Sequence, residues 1–330
     1  NFERSGFTAK GEYVDGGNKY YDFIHDDKLY AKKRANAQLL ELGYSGNGLG
    51  INLTGRRLEW MNSEIIAGNG STSNLLNYVP AMSTQYTYML TNLHPHTPQI
   101  GDVTNAVSDP FRLSPLCCDT LLFCNTRKHF NQNVFYHFKR GTVIGGKRGL
   151  KLHANFSTYY ALEKEGTAQI GNLSFRDFSI DVEKQWTKSF KMNLLYSMQE
   201  YSPSYGANKA TNLSNIFVAD LQYKFTPSFS TRMELQYLTT KEDQKDWMAA
   251  LLEINFAPAW SIYGSDMYNH GKDKIHYYNV GASYAKSRTR IALSYGRNKE
   301  GYVCSGGVCR TIPDYNYFIL SSSKHLLIRI

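Results

Sequence analysis

From residue 173 to residue 303 the chain reads as one extended segment after another, and this constrains the fold more than any other feature. Ala219, Leu221, Tyr223 and Phe225 alternate with Asp220, Gln222 and Lys224. After Thr226-Pro227-Ser228, Met233, Leu235 and Tyr237 alternate with Arg232, Glu234 and Gln236. Ala250, Leu252, Ile254 and Phe256 then alternate with Leu251, Glu253 and Asn255. A period of two is the mark of a sheet with one apolar and one polar face. The segments follow one another without helical crossovers, so neighbours run antiparallel.

The apolar residues are spread thinly. Hydrophobic side chains make up 42% of 330 residues, with 25 Tyr and 17 Phe, and they occupy one strand position in two rather than a dense Leu/Val/Ile run. A wet inner face and an apolar outer face in lipid fit this pattern. A dry two-layer core would have to pair every Glu, Asp, Lys, Arg, Gln and Asn of the polar face. No run of 18 uncharged apolar residues exists, which argues against a helical membrane protein. The expected fold is therefore all-β: a transmembrane antiparallel β-barrel of about 14 strands (range ~12–16), closed by an even strand number.

Loop lengths support the same reading. Short turns at 186–189, 226–228, 257–259 and 285–288 alternate with longer loops at 200–214, 240–246, 268–274 and 299–312. Outer-membrane barrels have this asymmetry. Trp186, Trp247, Trp260 and Tyr196 are candidates for the interfacial aromatic girdles. Earlier in the chain, residues 5–14 predict a strand and Asp15-Gly16-Gly17-Asn18 a turn. Residues 34–45 and 49–60 predict a hairpin across Gly46-Asn47-Gly48. Residues 84–93 predict a further strand through Tyr86, Tyr88 and Leu90. Residues 101–130 follow neither period and read as an irregular loop or plug-like segment, with Cys117, Cys118 and Cys124 inside it. The whole of 1–330 is taken as one barrel, a fragment of a longer chain. The lack of a signal peptide at Asn1 is no evidence for a cytosolic location.

Charge and motif content exclude several classes. Lys plus Arg number 37 and Asp plus Glu 28, a net charge of +9. The basic residues are not gathered on one aromatic-studded face, so no nucleic-acid partner is expected; a lining that favours anionic solutes fits better. His25, Asp26 and Asp27 read as a solvated loop, as do His94 and His96 between prolines, so no metal and no cofactor are expected. Gly145-Gly146-Lys147 lacks the phosphate-loop spacing. His153 and Ser157 share a strand face, but the sequence assigns them no acid, and no enzyme is expected. The candidate lumen-lining residues are Asp220, Gln222, Lys224, Arg232, Glu234, Gln236, Glu253 and Asn255. Cys304 and Cys309 flank Ser-Gly-Gly-Val, a spacer tight enough to predict a disulfide.

Three stretches carry a resemblance: Ile291 to Arg297 with Glu300 to Arg310, Asn77 to Met82 with Gln85 to Tyr88, and Lys139 to Tyr159. Together they resemble an uncharacterised outer-membrane β-barrel family of the Bacteroidota. The resemblance implies the outer membrane of a Gram-negative bacterium, contact with outer-membrane lipid and lipopolysaccharide, and other outer-membrane proteins or lipoproteins as partners. It brings no catalytic residues. The functional expectation is a porin-like channel for small polar or anionic solutes, with a structural barrel subunit of an envelope complex as the alternative.

Overall fold

Alternating segments of this length pair as ladders, because each backbone group finds its partner on the next strand while side chains point to opposite faces. The computed structural model describes residues 2–22, 30–59, 63–64, 75–76, 86, 88–92, 126–161, 172–202, 209–242, 244–286, 289–299, 301–305, 308–312 and 314–324. The first strands are β1 (Phe2–Arg4), β2 (Phe7–Asp22), β3 (Tyr30–Gly46) and β4 (Leu49–Glu59), followed by the two-residue pieces β5 (Ser63–Glu64) and β6 (Leu75–Leu76). A 3-10 turn covers Leu90–Asn92. Then come β7 (Thr126–Phe138), β8 (Leu150–Ala161), β9 (Leu173–Gln185), β10 (Phe190–Tyr201), β11 (Asn212–Thr226), β12 (Phe229–Thr240) and β13 (Trp247–Phe256). The last are β14 (Trp260–Asn269), β15 (His276–Lys286), β16 (Thr289–Asn298), β17 (Gly301–Ser305), β18 (Val308–Ile312) and β19 (Tyr315–Lys324).

Fifteen of these make one sheet in the order β1-β2-β3-β4-β7-β8-β9-β10-β11-β12-β13-β14-β15-β16-β19, while β5-β6 and β17-β18 form separate two-stranded ribbons. The neighbouring strands are paired antiparallel throughout the described residues. The expected closed barrel is not what forms. Among the described residues β1 pairs only with β2, and β19 only with β16. In fifteen alternating antiparallel strands the first and last run the same way, so closure would need a parallel pair between β1 and β19, and none forms among the described residues. β1 is also only 3 residues long, against 10 for β19.

The expected disulfide is likewise corrected. Cys304 and Cys309 stand opposite each other in the register of β17 and β18, but no disulfide is present among the described residues, and the two cysteine side chains lie outside them. The backbone ladder of the ribbon already accounts for the short spacer without a covalent bond. Cys117, Cys118, Cys124, most of 101–130 and the His25 and His94 loops also lie outside the described residues.

Local turn chemistry explains two further outcomes. The Asn47-Gly48 turn joins β3 and β4 as expected, with both residues at positive φ (52° and 84°), the conformation a two-residue hairpin loop requires. Asp15-Gly16-Gly17-Asn18 is not a turn. β2 runs through it with a register shift between Asp15 and Gly17, and the Gly17 N–H donates to Asp15 Oδ1 at 2.9 Å. The glycines supply a bulge (Gly17 φ 70°) rather than a reversal.

The burial pattern is inverted relative to a water-soluble sheet. Leu235 is 47% exposed and Phe217 50%, whereas Glu234 is 4% and Gln236 5% exposed on the opposite face. Ser179, Ser157, Asn155, Ser197 and Asp177 are buried in the same way.

Candidate functional site

The buried polar side chains of β7 to β13 gather into one face because the register places them directly opposite one another. Asp220 is paired with Glu234, and Arg232 with both Gln222 and Glu253. Arg232 donates through Nε to Asp220 Oδ1 (3.1 Å) and through Nη2 to Asp220 Oδ2 (3.0 Å), and it also ion-pairs with Glu234. A planar guanidinium fork suits this bidentate geometry. Gln236 Nε2 donates to Glu234 Oε2 (3.2 Å), and Asn255 Nδ2 to Glu253 Oε1 (2.8 Å). Asp220, Arg232, Glu234 and Gln236 are thus brought together as the sequence pattern suggests. Gln222 is half-buried, and Lys224 stands exposed beside the 227–228 turn.

A segment of the chain lies on this face. Tyr86 donates from its hydroxyl to Asp181 Oδ1 (2.9 Å) and stands 3.3 Å from Ser179 Oγ. Tyr88 Oη donates to Asp220 Oδ2 (3.4 Å) and accepts from Asn193 Nδ2 (3.0 Å). The Leu90 N–H donates to Gln236 Oε1 (2.9 Å), and Gln199 Nε2 donates to the Thr91 carbonyl (3.1 Å). Beneath Tyr88 and Leu90 lies an apolar seat of Leu195, Ile216, Val218, Leu238, Trp247 and Ala249. The segment therefore covers the face from β8 to β13 with hydrogen bonds at one end and apolar packing at the other. Burial holds the Tyr86 and Tyr88 phenols above the usual phenol range, so both stay protonated and act as donors.

Sequence reasoning reads 84–93 as a strand of the sheet. The alternation of Tyr86, Tyr88 and Leu90 is real, but it sets the two phenols on polar partners of other strands and Leu90 in the apolar seat instead of entering the ladder. Trp247 is misassigned for a related reason. It shares the parity of Ala249 and Glu253, faces inward and is 2% exposed, so it is no girdle residue. Trp186 (52% exposed) and Trp260 (54%) do lie on the surface. His153 finds its acid only through the β8–β9 register, which sets it opposite Asp181, with Nδ1 2.8 Å from Asp181 Oδ1. Its other nitrogen faces Asn133 Oδ1 (3.3 Å), while Ser157 Oγ accepts from Asn131 (2.6 Å), so the histidine and the serine are not joined. Among the described residues no group of three or more His, Cys, Asp or Glu could hold a metal ion.

A family profile matches residues 1–325. The chain belongs to DUF6029, a family of unknown function. No curated protein matches it. Among solved structures it is similar to engineered mutants of the Rhodopseudomonas blastica porin. One has 11% identity and a TM-score of 0.38, covering 95% of this chain and 100% of the porin. Another has 11% identity and a TM-score of 0.34. Similarity that low carries no argument about residues or activity.

Proposed function

We propose that this DUF6029 chain is a non-enzymatic, membrane-embedded β-sheet of a Gram-negative outer membrane and a structural subunit of a multi-protein envelope assembly. The observation that carries this is the inversion of burial: Leu, Phe, Tyr and Ile line one face of the strands, exposed, while Asp220, Glu234, Gln236 and Asp177 are buried on the other. Water would leave the first face costly and lipid makes it favourable. Two further observations favour a subunit over an open pore. The polar face of β8 to β13 is covered by Tyr86 to Thr91. The outer edge of β19 has no ladder partner among the described residues. In hydrocarbon an unpaired backbone edge costs several kcal/mol per group, so a partner there is stabilising. The resemblance to a Bacteroidota outer-membrane family agrees with this placement.

Purification from native membranes in mild detergent tests the proposal. Stoichiometric co-purifying envelope proteins are the expected result, with planar-bilayer current near baseline. A chain that purifies alone and conducts steadily contradicts the subunit reading and returns weight to a channel for small polar or anionic solutes.

A further inference from the structure

The two ends of the sheet differ in charge. At the end where β7–β8, β9–β10, β11–β12 and β15–β16 are joined, sequence spans 139–151, 183–191, 223–230 and 284–290 contain one acid, Glu183, which is held by Lys151 (2.8 Å) and Lys191 (2.7 Å). The cations there include Lys139, Arg140, Lys147 and Arg148 on a single turn. Neighbouring turns add Lys184, Lys188, Lys224, Lys286 and Arg290. The opposite end is mixed, with Glu242 and Asp246 beside Lys241 and Lys245, and Asp273 between Lys272 and Lys274.

The 139–149 turn is built, not slack. The Gly141 N–H donates to the Gly146 carbonyl and the Gly146 N–H to the Thr142 carbonyl, each at 2.8 Å. Thr142 Oγ1 donates to the Lys139 carbonyl (2.8 Å) and accepts from the Gly145 N–H (3.0 Å). A Cβ on Gly145 would stand 2.1 Å from the Lys139 carbonyl oxygen, so the close turn requires glycine there. This frame holds Val143 fully exposed and Ile144 56% exposed between two basic pairs. Val143 and Ile144 share a hollow of about 470 Å³ with Tyr136 and Phe138 of the outward face. Lys184 Nζ donates to the Ile144 carbonyl (3.2 Å) and lies 4.7 Å from the Trp186 ring centroid. An outward aromatic row continues along the same end through Tyr223–Phe225 (4.7 Å), Phe225–Phe229 (5.0 Å), Phe229–Phe256 (5.2 Å) and Trp260–Tyr284 (4.8 Å).

We infer that this end is an anionic-lipid site: the basic turns hold the phosphate headgroups of a bilayer leaflet, and Val143 and Ile144 dip among the first methylenes of the acyl chains. The inference rests on the membrane placement proposed above. Charge complementarity selects the anionic headgroup. The bare apolar pair, continuous with the outward face, selects a lipid surface over a water-soluble acidic partner, which would leave Val143 and Ile144 uncovered.

The test uses the full chain, purified in detergent and also reconstituted into phosphatidylcholine vesicles with or without phosphatidylglycerol. Native mass spectrometry reads lipid retention. Each cation near an anionic surface contributes roughly fivefold. The wild type is therefore expected to retain phosphatidylglycerol over phosphatidylcholine by at least roughly tenfold. Lys147→Glu with Arg148→Glu should remove most of that preference, and the pair Lys147→Gln with Arg148→Gln should fall between. Val143→Ser with Ile144→Ser should lower retention of both lipids alike. Far-ultraviolet circular dichroism checks that each variant is folded. Equal retention of the two lipids by the wild type overturns the inference. A preference untouched by charge reversal overturns it too, as does stronger binding of polyglutamate than of phosphatidylglycerol at these lysines, which would make the partner an acidic protein. Failure to enter either vesicle is a separate outcome that counts against the membrane placement itself.

Discussion

The two faces of β12 differ more than any other two regions of the molecule. Met233, Leu235 and Tyr237 look outward and bare, whereas Glu234, Gln236 and Leu238 on the same ten-odd residues are buried. The outward face makes few specific bonds and depends on its medium. The inward face is bonded group by group, to other strands and to the Tyr86–Thr91 segment. A strand therefore carries two kinds of specification: bulk apolarity on one side, individual partners on the other. Substitutions should be tolerated outside as long as they remain apolar, and inside only when the hydrogen bonds are kept.

The largest expected effect lies inside. Arg232→Met leaves Asp220 and Glu234 without their shared cation, and stranding buried charge costs about 3–5 kcal/mol; a urea-midpoint shift in vesicles reads it. Next is the outer face, where Leu235→Arg should cost about 2–4 kcal/mol if the position sits near the bilayer midplane, measured the same way. In a water-facing sheet that substitution would be close to neutral. A smaller effect is expected at the covering segment. Tyr88→Phe removes one hydroxyl from Asp220 and Asn193, and because Arg232 still holds Asp220 the loss should be about 1 kcal/mol. Faster proteolysis between β4 and β7 would report a loosened segment.

The smallest effect is expected where a charge pair meets water. Arg297 donates to Asp314 through Nε (2.8 Å) and Nη2 (2.6 Å). That hydrogen bonding and charge hold the Asp314 carboxyl below the usual carboxylate range. A carboxylate with a native pKa below its unfolded value stabilises fully above the unfolded value, and the contribution disappears as pH falls through the native one. Arg297→Ala should flatten this slight acid-side slope of stability, read by urea titrations across the acid range. An unchanged slope would show that the exposed pair adds nothing, as many surface pairs do.

The alternation of 219–225, 233–237 and 250–256 made the strands legible in the sequence, because a period of two marks faces directly. Asp220, Arg232, Glu234 and Gln236 were legible on one face for the same reason. Other features needed the third dimension. Tyr86, Tyr88 and Leu90 alternate as a strand would, yet they belong to an irregular stretch that ends in the 3-10 turn Leu90–Asn92, and only contacts distinguish the two. His153 meets Asp181 through strand register, which no local pattern encodes. Closure is not encoded in the alternation either: every strand pattern is the same in an open sheet, and here the three-residue β1 offers β19 almost no edge to pair with. The Asp15–Asn18 run carries turn chemistry that a bulge uses equally well. Trp247 was placed by residue type, although its parity already pointed inward.

One measurement separates the faces most directly. Spin labels placed singly at consecutive positions of β12 in reconstituted vesicles can be scanned for collision with oxygen, which concentrates in hydrocarbon, and with a water-soluble nickel chelate. Oxygen accessibility should peak at positions 233, 235 and 237, with both reagents low at 234, 236 and 238. If the nickel chelate reaches 233, 235 and 237 as readily as oxygen does, the outward face lies in water and the central claim is wrong.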